Sequence, residues 1–150
     1  MTDLEKLVAI EAIRNLQSRY VRLADSKDWL GLAHLFLPQG SFVPYGVDGK
    51  PQVAMLGREQ ICRMLSDAVG AGTAIHHLFS YEIEIRSPTR AHGIWAMEDW
   101  VDRSRDHGTA AAPFKTLHGL GHYHVDYEKV DDAWFIANQK LYRTRLELTR

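Results

Sequence analysis

The spacing of apolar residues changes near residue 74, and this change constrains the fold more than any other feature of the sequence. Before it, apolar residues recur at steps of three and four or their multiples, a helical stripe that includes Leu7, Ile13, Leu16, Tyr20 and Leu23. After it, apolar and polar residues alternate over long segments, which is typical of half-buried strands. Helices followed by an antiparallel meander predict an α+β fold. Without repeats or a linker, residues 1–150 are expected to form one domain.

Capping and breaking residues predict the ends of the helices. Thr2 or Asp3 caps the first helix, and residues 26–28 break it. Asp28 would cap a short second helix, which Pro38-Gln39-Gly40 would end. A third helix is predicted over residues 57–72, where glycines close it.

The remaining segments are predicted to be strands joined by short turns. A strand is expected over residues 41–46, and four long strands follow from residue 74 onward. A polar loop is predicted over residues 104–113, between the second and third long strands. Asp131-Asp132 predicts a tight hairpin turn before the last strand.

Composition excludes several functional classes. The formal net charge is −1, so the chain has no strong field to attract nucleic acid or an anionic membrane. No apolar run approaches the roughly 20 residues of a membrane span, and the N-terminus lacks the apolar core of a secretion signal. The single cysteine, Cys62, rules out an intrachain disulfide and fits a reducing compartment. We therefore expect a cytoplasmic protein that binds neither nucleic acid nor membrane.

A carboxylate lies on the apolar face of one predicted strand. Alternation places Asp99 beside Trp95, Met97 and Val101 on the same face. Burying this carboxylate costs several kcal/mol unless it is paired or protonated. Two interpretations stay open at this point: a structural salt bridge with a neighbouring arginine, or a functional site.

Two glycines alternate in the next predicted strand, on the face that also carries Tyr123. Gly119 and Gly121 contribute no packing and weaken a strand. One interpretation is that a ligand occupies the space above them. The other is a pair of bulges in a tightly curved sheet.

The histidines of the chain allow several interpretations. His76 and His77 are adjacent, so in a strand they point to opposite faces and only one of them can enter a cavity. His122, His124 and Glu128 share one face with a spacing that could hold a divalent metal. A solvated or subunit-contacting surface, which would also include His118, is the alternative to that metal site.

Tyr20 and Asp25 occupy different sides of the first helix. Tyr20 lies on the apolar stripe, either as a packed aromatic residue or as a site residue. Five residues at 100° each place Asp25 about 140° away from Tyr20. The helical pattern alone therefore favours Asp25 as a polar residue at the helix end.

The chain nevertheless resembles the SnoaL-like, scytalone dehydratase-like branch of the nuclear transport factor 2 superfamily over nearly all its length. The opening DLEKLVAIEAIRNLQSRYVRLADSKDWLGLAHLF is similar to the first helix pair of that family, AIHHLFSYEIEI to its histidine strand, and DDAWFI to its final turn. The resemblance implies a cone-shaped barrel, in which N-terminal helices pack in a strongly curved, mostly antiparallel sheet. It also implies one pocket per chain and a homo-oligomer, with a trimer favoured over a dimer.

Matched residue by residue, the resemblance implies the catalytic residues Tyr20, Asp25, His76 and Asp99, and so places Asp25 inside the cone. The family has a basic residue near Gln139, where this chain has Arg143 on the same face instead. We expect the substrate to contact a mostly apolar wall together with these two positions: Trp29, Tyr45, Met55, Trp95, Met97, Tyr123, Gln139 and Arg143.

The implied function is a cofactor-independent lyase without a metal, most simply a dehydratase acting on a hydrophobic cyclic or polyketide-like substrate. Asp25 would orient His76, which would remove a proton, and Tyr20 would hold a carbonyl or protonate the departing oxygen. An isomerase or dehydrochlorinase could use the same dyad. The alternatives from other classes are a non-catalytic ligand-binding or accessory subunit of the same fold, and a metal enzyme.

Overall fold

The computed structural model describes residues 1–106 and 114–150, so residues 107–113 of the predicted polar loop lie outside the described residues. The described residues form three helices and six strands. In chain order these are α1 (Asp3–Asp25), α2 (Trp29–Ala33), β1 (Phe36–Tyr45), β2 (Met55–Leu56), α3 (Gly57–Val69), β3 (Thr73–Ser87), β4 (Arg90–Asp102), β5 (Thr116–Val130) and β6 (Ala133–Thr149).

The starts of α1 and α2 follow from local capping. Thr2 caps α1 through a reciprocal capping box with Glu5, and the carboxylate of Asp28 accepts from the Gly31 backbone N–H at the start of α2. The prediction that Pro38-Gln39-Gly40 ends the second helix is wrong. The helix ends at Ala33, and Pro38 to Gly40 lie within β1, where the pairing with β6 shifts register. Such an irregularity tolerates a proline inside a strand.

One curved, unclosed sheet contains all six strands in the order β2-β1-β6-β5-β4-β3. The pairs are antiparallel except β1 and β6, which run parallel. The β5–β6 hairpin turns at Asp131 and Asp132, and both residues have positive φ, as a tight two-residue turn requires. The expected α+β architecture, with N-terminal helices packed against a curved and mostly antiparallel sheet, is confirmed.

The core lies between the helices and the inner face of the sheet. Helix α1 packs against β3 and β6, and α3 packs against β1. Ile13, Leu16 and Tyr20 are buried as the helical stripe predicts, whereas Leu7 is exposed. No helix of the described residues is long and apolar enough to cross a membrane.

Candidate active site

A cavity of about 620 Å³ opens between the helices and the inner face of the sheet. Its volume falls within the range of small-molecule sites, and its wall is mostly apolar with a few polar groups on one side. The polar lining consists of Tyr20, Gln52, His76, Asp99, Tyr123 and Arg143. The apolar lining consists of Ala24, Trp29, Phe42, Pro44, Val53, Met55, Met64, Leu65, Ala68, Val69, Val101, Phe114, Leu117 and Leu141.

The last residue of α1 meets the fourth residue of β3 at the edge of this cavity. Asp25 Oδ1 lies 2.8 Å from His76 Nδ1 and also accepts the His76 backbone N–H at 2.8 Å. The two contacts fix both the ring and the backbone of His76 relative to the helix end. The structure therefore brings together two residues that are 51 positions apart in the chain.

The Asp25 contact determines which imidazole nitrogen remains available. An ionised carboxylate can only accept hydrogen bonds, so Nδ1 of His76 carries the proton that it donates to Asp25. In the neutral ring, Nε2 is then left with a free lone pair. Because His76 lines the cavity and Asp25 does not, this basic nitrogen is the one that a bound molecule can meet.

The neighbouring histidine has a different environment. His77 points to the outer face of the sheet, where its ring is exposed and lies 3.5 Å from the carboxylate of Glu98. The alternation predicted for the pair is therefore present, and His76 is the member that faces the cavity.

An ion pair beside His76 forms a second part of the polar wall. Arg143 donates to both oxygens of Asp99, with distances of 2.5 Å from Nη1 to Oδ1 and 3.0 Å from Nη2 to Oδ2. Burial alone would lower the pKa of the Arg143 guanidinium, but the hydrogen-bonded Asp99 raises it above the ordinary value. The salt-bridge interpretation of Asp99 is thus correct. The pair also lies within the cavity wall, directly across the strand pair from His76.

The two glycines of β5 have protein above them and not a ligand. A Cβ on Gly119 would collide with the Arg143 guanidinium and the Asp99 carboxylate, so this glycine makes room for the ion pair. A Cβ on Gly121 would collide with the backbone of Tyr142, at a register shift between β5 and β6. The bulge interpretation holds for Gly121, and the interpretation of an empty space for a ligand does not hold for either residue.

Tyr20 presents a neutral hydroxyl at the cavity. Burial raises its pKa well above the usual 10.0, and the Gln139 amide and the Tyr123 hydroxyl partly oppose this shift. Its ring packs edge-on against Phe36 and Tyr123. At neutral pH Tyr20 can therefore donate a hydrogen bond to a bound molecule.

Of the eight residues expected to contact substrate, four line the cavity: Trp29, Met55, Tyr123 and Arg143. The other four lie elsewhere. Tyr45 stacks on Tyr142, whereas Trp95, Met97 and Gln139 are buried in the core beneath the cavity. A strand face that points inward contributes residues to both the core and the cavity, and alternation does not distinguish the two.

One cavity wall was not anticipated from the sequence. It consists of residues of α3 and of the region around β5, among them Met64, Leu65, Val69, Phe114 and Leu117. The available signal was the three-residue spacing of Leu65 and Ala68 in the predicted third helix.

The outer-face histidines do not assemble a metal site among the described residues, which contain no group of three His, Cys, Asp or Glu side chains placed to hold an ion. His124 instead packs edge-on against Tyr142, and His118 hydrogen-bonds to Glu98 at 2.7 Å. Among the described residues, His122, His124 and Glu128, the candidate ligands with metal-binding spacing, do not come together as a group. These side chains belong to the polar outer surface of the sheet.

Comparison with known proteins identifies relatives over almost the entire chain. A probable cyclase, FGR4 of Gibberella zeae, is 24% identical over 143 residues, which cover 90% of this chain and 91% of the relative. Among solved structures, a "Putative Scytalone Dehydratase" of Novosphingobium aromaticivorans superposes with a TM-score of 0.81 at 20% identity, covering 99% of this chain and 93% of that one.

A third similar protein is hexachlorocyclohexane dehydrochlorinase LinA-type3 of Novosphingobium barchaimii. Its TM-score is 0.76 at 16% identity, over 98% of this chain and 94% of that one. At these identities the structural matches establish the fold alone. The model of the SnoaL-like domain matches residues 5–140. The chain therefore belongs to the SnoaL-like domain family.

Proposed function

We propose that the protein is a cofactor-independent lyase, a dehydratase that eliminates water from a hydrophobic cyclic or polyketide-like substrate. The contact between Asp25 and His76 at the edge of an apolar cavity is the observation that carries this proposal. It leaves a basic nitrogen in an environment where a proton next to a carbonyl can be removed. The family and the names of its relatives, a cyclase, a dehydratase and a dehydrochlorinase, support the broader class of lyases and isomerases.

The proposed reaction balances without a cofactor. His76 Nε2 takes a proton from the carbon next to the substrate carbonyl, and the C–H electron pair forms the new double bond. The C–O bond to the leaving hydroxyl breaks, and that oxygen departs as water after it receives a proton. Tyr20 hydrogen-bonds the carbonyl oxygen, where negative charge develops. Asp25 stabilises the imidazolium until its proton is transferred to the leaving group or to solvent.

The cavity suggests the substrate class. Its apolar wall around Met64, Val69 and Phe114 suits a ring system, and its polar wall requires an oxygen-bearing edge. The ion pair of Asp99 and Arg143 offers hydrogen bonds to a hydroxyl group without presenting an uncompensated charge. A hydrophobic hydroxy-ketone meets both requirements.

The non-catalytic alternative required a filled pocket and no contact between Asp25 and His76. The open cavity and the 2.8 Å contact speak against it. An isomerase or a dehydrochlorinase begins with the same proton abstraction, so these activities differ from the proposed one only in the leaving group.

The test is an elimination screen over cyclic hydroxy-ketones with the wild-type protein, His76→Ala, Asp25→Asn and His77→Ala. We expect His76→Ala to lose turnover by about 100-fold or more, the contribution of a general base. His77→Ala is the matched control, because it removes the adjacent imidazole from the outer face. Full activity of His76→Ala, or an equal loss in His77→Ala, would contradict the proposed mechanism.

A further inference from the structure

A chain of buried hydrogen bonds runs through the core beneath the cavity. Trp95 Nε1 donates to the Tyr127 hydroxyl at 2.9 Å, and that hydroxyl donates to Gln17 Oε1 at 2.7 Å. Gln17 Nε2 then donates to Gln139 Oε1 at 2.9 Å. Gln17 and Gln139 are both fully buried. A polar network this deep in a core is costly unless its members are satisfied, so its last member requires an explanation.

The chemistry of the first member fixes the direction of the whole chain. An indole N–H can only donate, so the Tyr127 oxygen accepts from Trp95 and its own proton goes to Gln17. The oxygen of the Gln17 amide is thereby assigned, and its NH₂ group must face Gln139. Gln139 consequently accepts through its oxygen and is left with an NH₂ group at the end of the chain.

The terminal NH₂ group of Gln139 lies near the hydroxyl of Tyr20. Nε2 of Gln139 has no hydrogen-bond partner among the described residues, although it is completely buried. Gln17 and Tyr20 are one helical turn apart on the buried side of α1, and Gln139 lies two residues before the cavity residue Leu141 on β6. The Gln139 amide also lowers the pKa of the Tyr20 hydroxyl against the larger effect of burial, as an N–H donor near its oxygen does.

We propose that Gln139 is a positioning residue for Tyr20, whose hydroxyl oxygen accepts a hydrogen bond from Gln139 Nε2 when a substrate fills the cavity. Hydrogen bonds of this kind are often long in an unliganded site and shorten on binding. With its oxygen engaged, Tyr20 is free to direct its own proton into the cavity. The site then selects ligands that present an acceptor, such as a carbonyl oxygen, at that position. For turnover, this inference rests on the function proposed above.

Two nearly isosteric variants test the inference. In Gln139→Glu the carboxylate still accepts from Gln17, but it presents a second acceptor to Tyr20, which would turn the hydroxyl proton away from the cavity. Gln139→Met removes the donor without adding an acceptor and serves if the buried carboxylate prevents folding. Val125→Ala is the matched control, because Val125 is the fully buried register partner of Gln139 on β5 and the substitution changes packing there without adding a hydrogen-bonding group.

The first measurement does not depend on activity. With 3-fluorotyrosine incorporated at position 20 of the full chain, the ¹⁹F resonance reports the hydrogen bonding of that hydroxyl. Because the Gln139 amide already acts on the Tyr20 hydroxyl before a substrate binds, we expect the resonance to move in Gln139→Glu and Gln139→Met, and to stay in place in Val125→Ala. An unmoved resonance in both Gln139 variants, or an equal shift in Val125→Ala, overturns the inference, whether or not an elimination substrate has been found.

The second measurement uses a substrate identified by the elimination screen. We expect Gln139→Glu to lower kcat about 10-fold with KM changed less than about twofold, because a misdirected donor weakens the transition state more than the bound substrate. In a Tyr20→Phe background the same substitution should have almost no further effect. Equal losses in both backgrounds would show a general structural defect and overturn the positioning role, while leaving the proposed function of His76 intact.

Discussion

The ion pair of Asp99 and Arg143 gives a prediction whose magnitude follows from its burial. Asp99 is 5% exposed, and within residues 1–106 and 114–150 both of its side-chain hydrogen bonds come from Arg143. Substituting Arg143→Met keeps most of the side-chain volume but leaves the carboxylate buried and uncompensated. Breaking a buried pair on one side costs about 3–5 kcal/mol. That is a large share of the roughly 5–15 kcal/mol that stabilises a domain.

The double variant Asp99→Leu/Arg143→Met is the matched control. Replacing both partners by apolar side chains removes the uncompensated charge, and such replacements are often neutral or stabilising. We therefore expect its free energy of unfolding to lie close to that of the wild type. Gly119→Ala gives an independent check, since its methyl group would displace the guanidinium from Asp99 and should destabilise less in the Arg143→Met background.

Urea unfolding followed by the fluorescence of the four tryptophans measures these differences. The reasoning would be refuted by a loss of less than about 1 kcal/mol in Arg143→Met. It would be refuted equally by a double variant as unstable as the single one.

Three further predictions concern alkaline stability, the cavity wall and assembly. Burial raises the pKa of Tyr20, Tyr123 and Tyr127. These hydroxyls therefore stay protonated in the folded chain at a pH where the same hydroxyls have ionised in the unfolded chain. The free energy of unfolding should therefore fall above pH 10, by up to about 4 kcal/mol per pH unit for the three tyrosines together. In urea titrations, a Tyr20→Phe variant should show a shallower fall. Ala68→Phe should narrow the cavity and raise KM for large ring substrates in steady-state assays, while the thermal midpoint changes little. Light scattering should give about three times the 17.1 kDa of one chain; a single-chain mass would contradict the expected trimer.

The order of helices and strands could be predicted because its signals are local. The capping box at Thr2 and the left-handed turn at Asp131-Asp132 each depend on a few neighbouring residues. The start of β1 could not be predicted in the same way. Pro38 and Gly40 ordinarily break regular structure, and only the parallel pairing with β6, with its register shift, holds them in a strand.

The sequence predicted the candidate site only where the alternation of side chains along a strand determines which face a residue occupies. Period two places Asp99 on the buried face, but the sequence does not show which arginine reaches it, because Arg143 is 44 residues away. The choice between His76 and His77 required knowledge of which side of the sheet the helices cover. Asp25 reaches His76 because it ends α1, where the chain turns, although the helical pattern alone placed it away from the apolar stripe.

Gln17 makes a long-range contact that could not be predicted from the sequence. A single glutamine in an amphipathic helix carries no pattern, and its partner Gln139 is 122 residues away. The cavity wall from α3 is similar, since apolar residues that line a pocket have the same spacing as those that pack against a core. In both cases the missing information is long-range contact, which neither periodicity nor capping contains.

The central claim is that Asp25 holds His76 in the tautomer whose Nε2 is the free base. ¹⁵N NMR of the histidine rings tests this directly and needs no substrate, with His76→Ala to assign the signal. At a pH where the ring is neutral, we expect a protonated Nδ1 and an unprotonated Nε2, and a change in this pattern in Asp25→Asn. A His76 ring protonated at Nε2, or one whose signals do not respond to Asp25→Asn, would contradict the account.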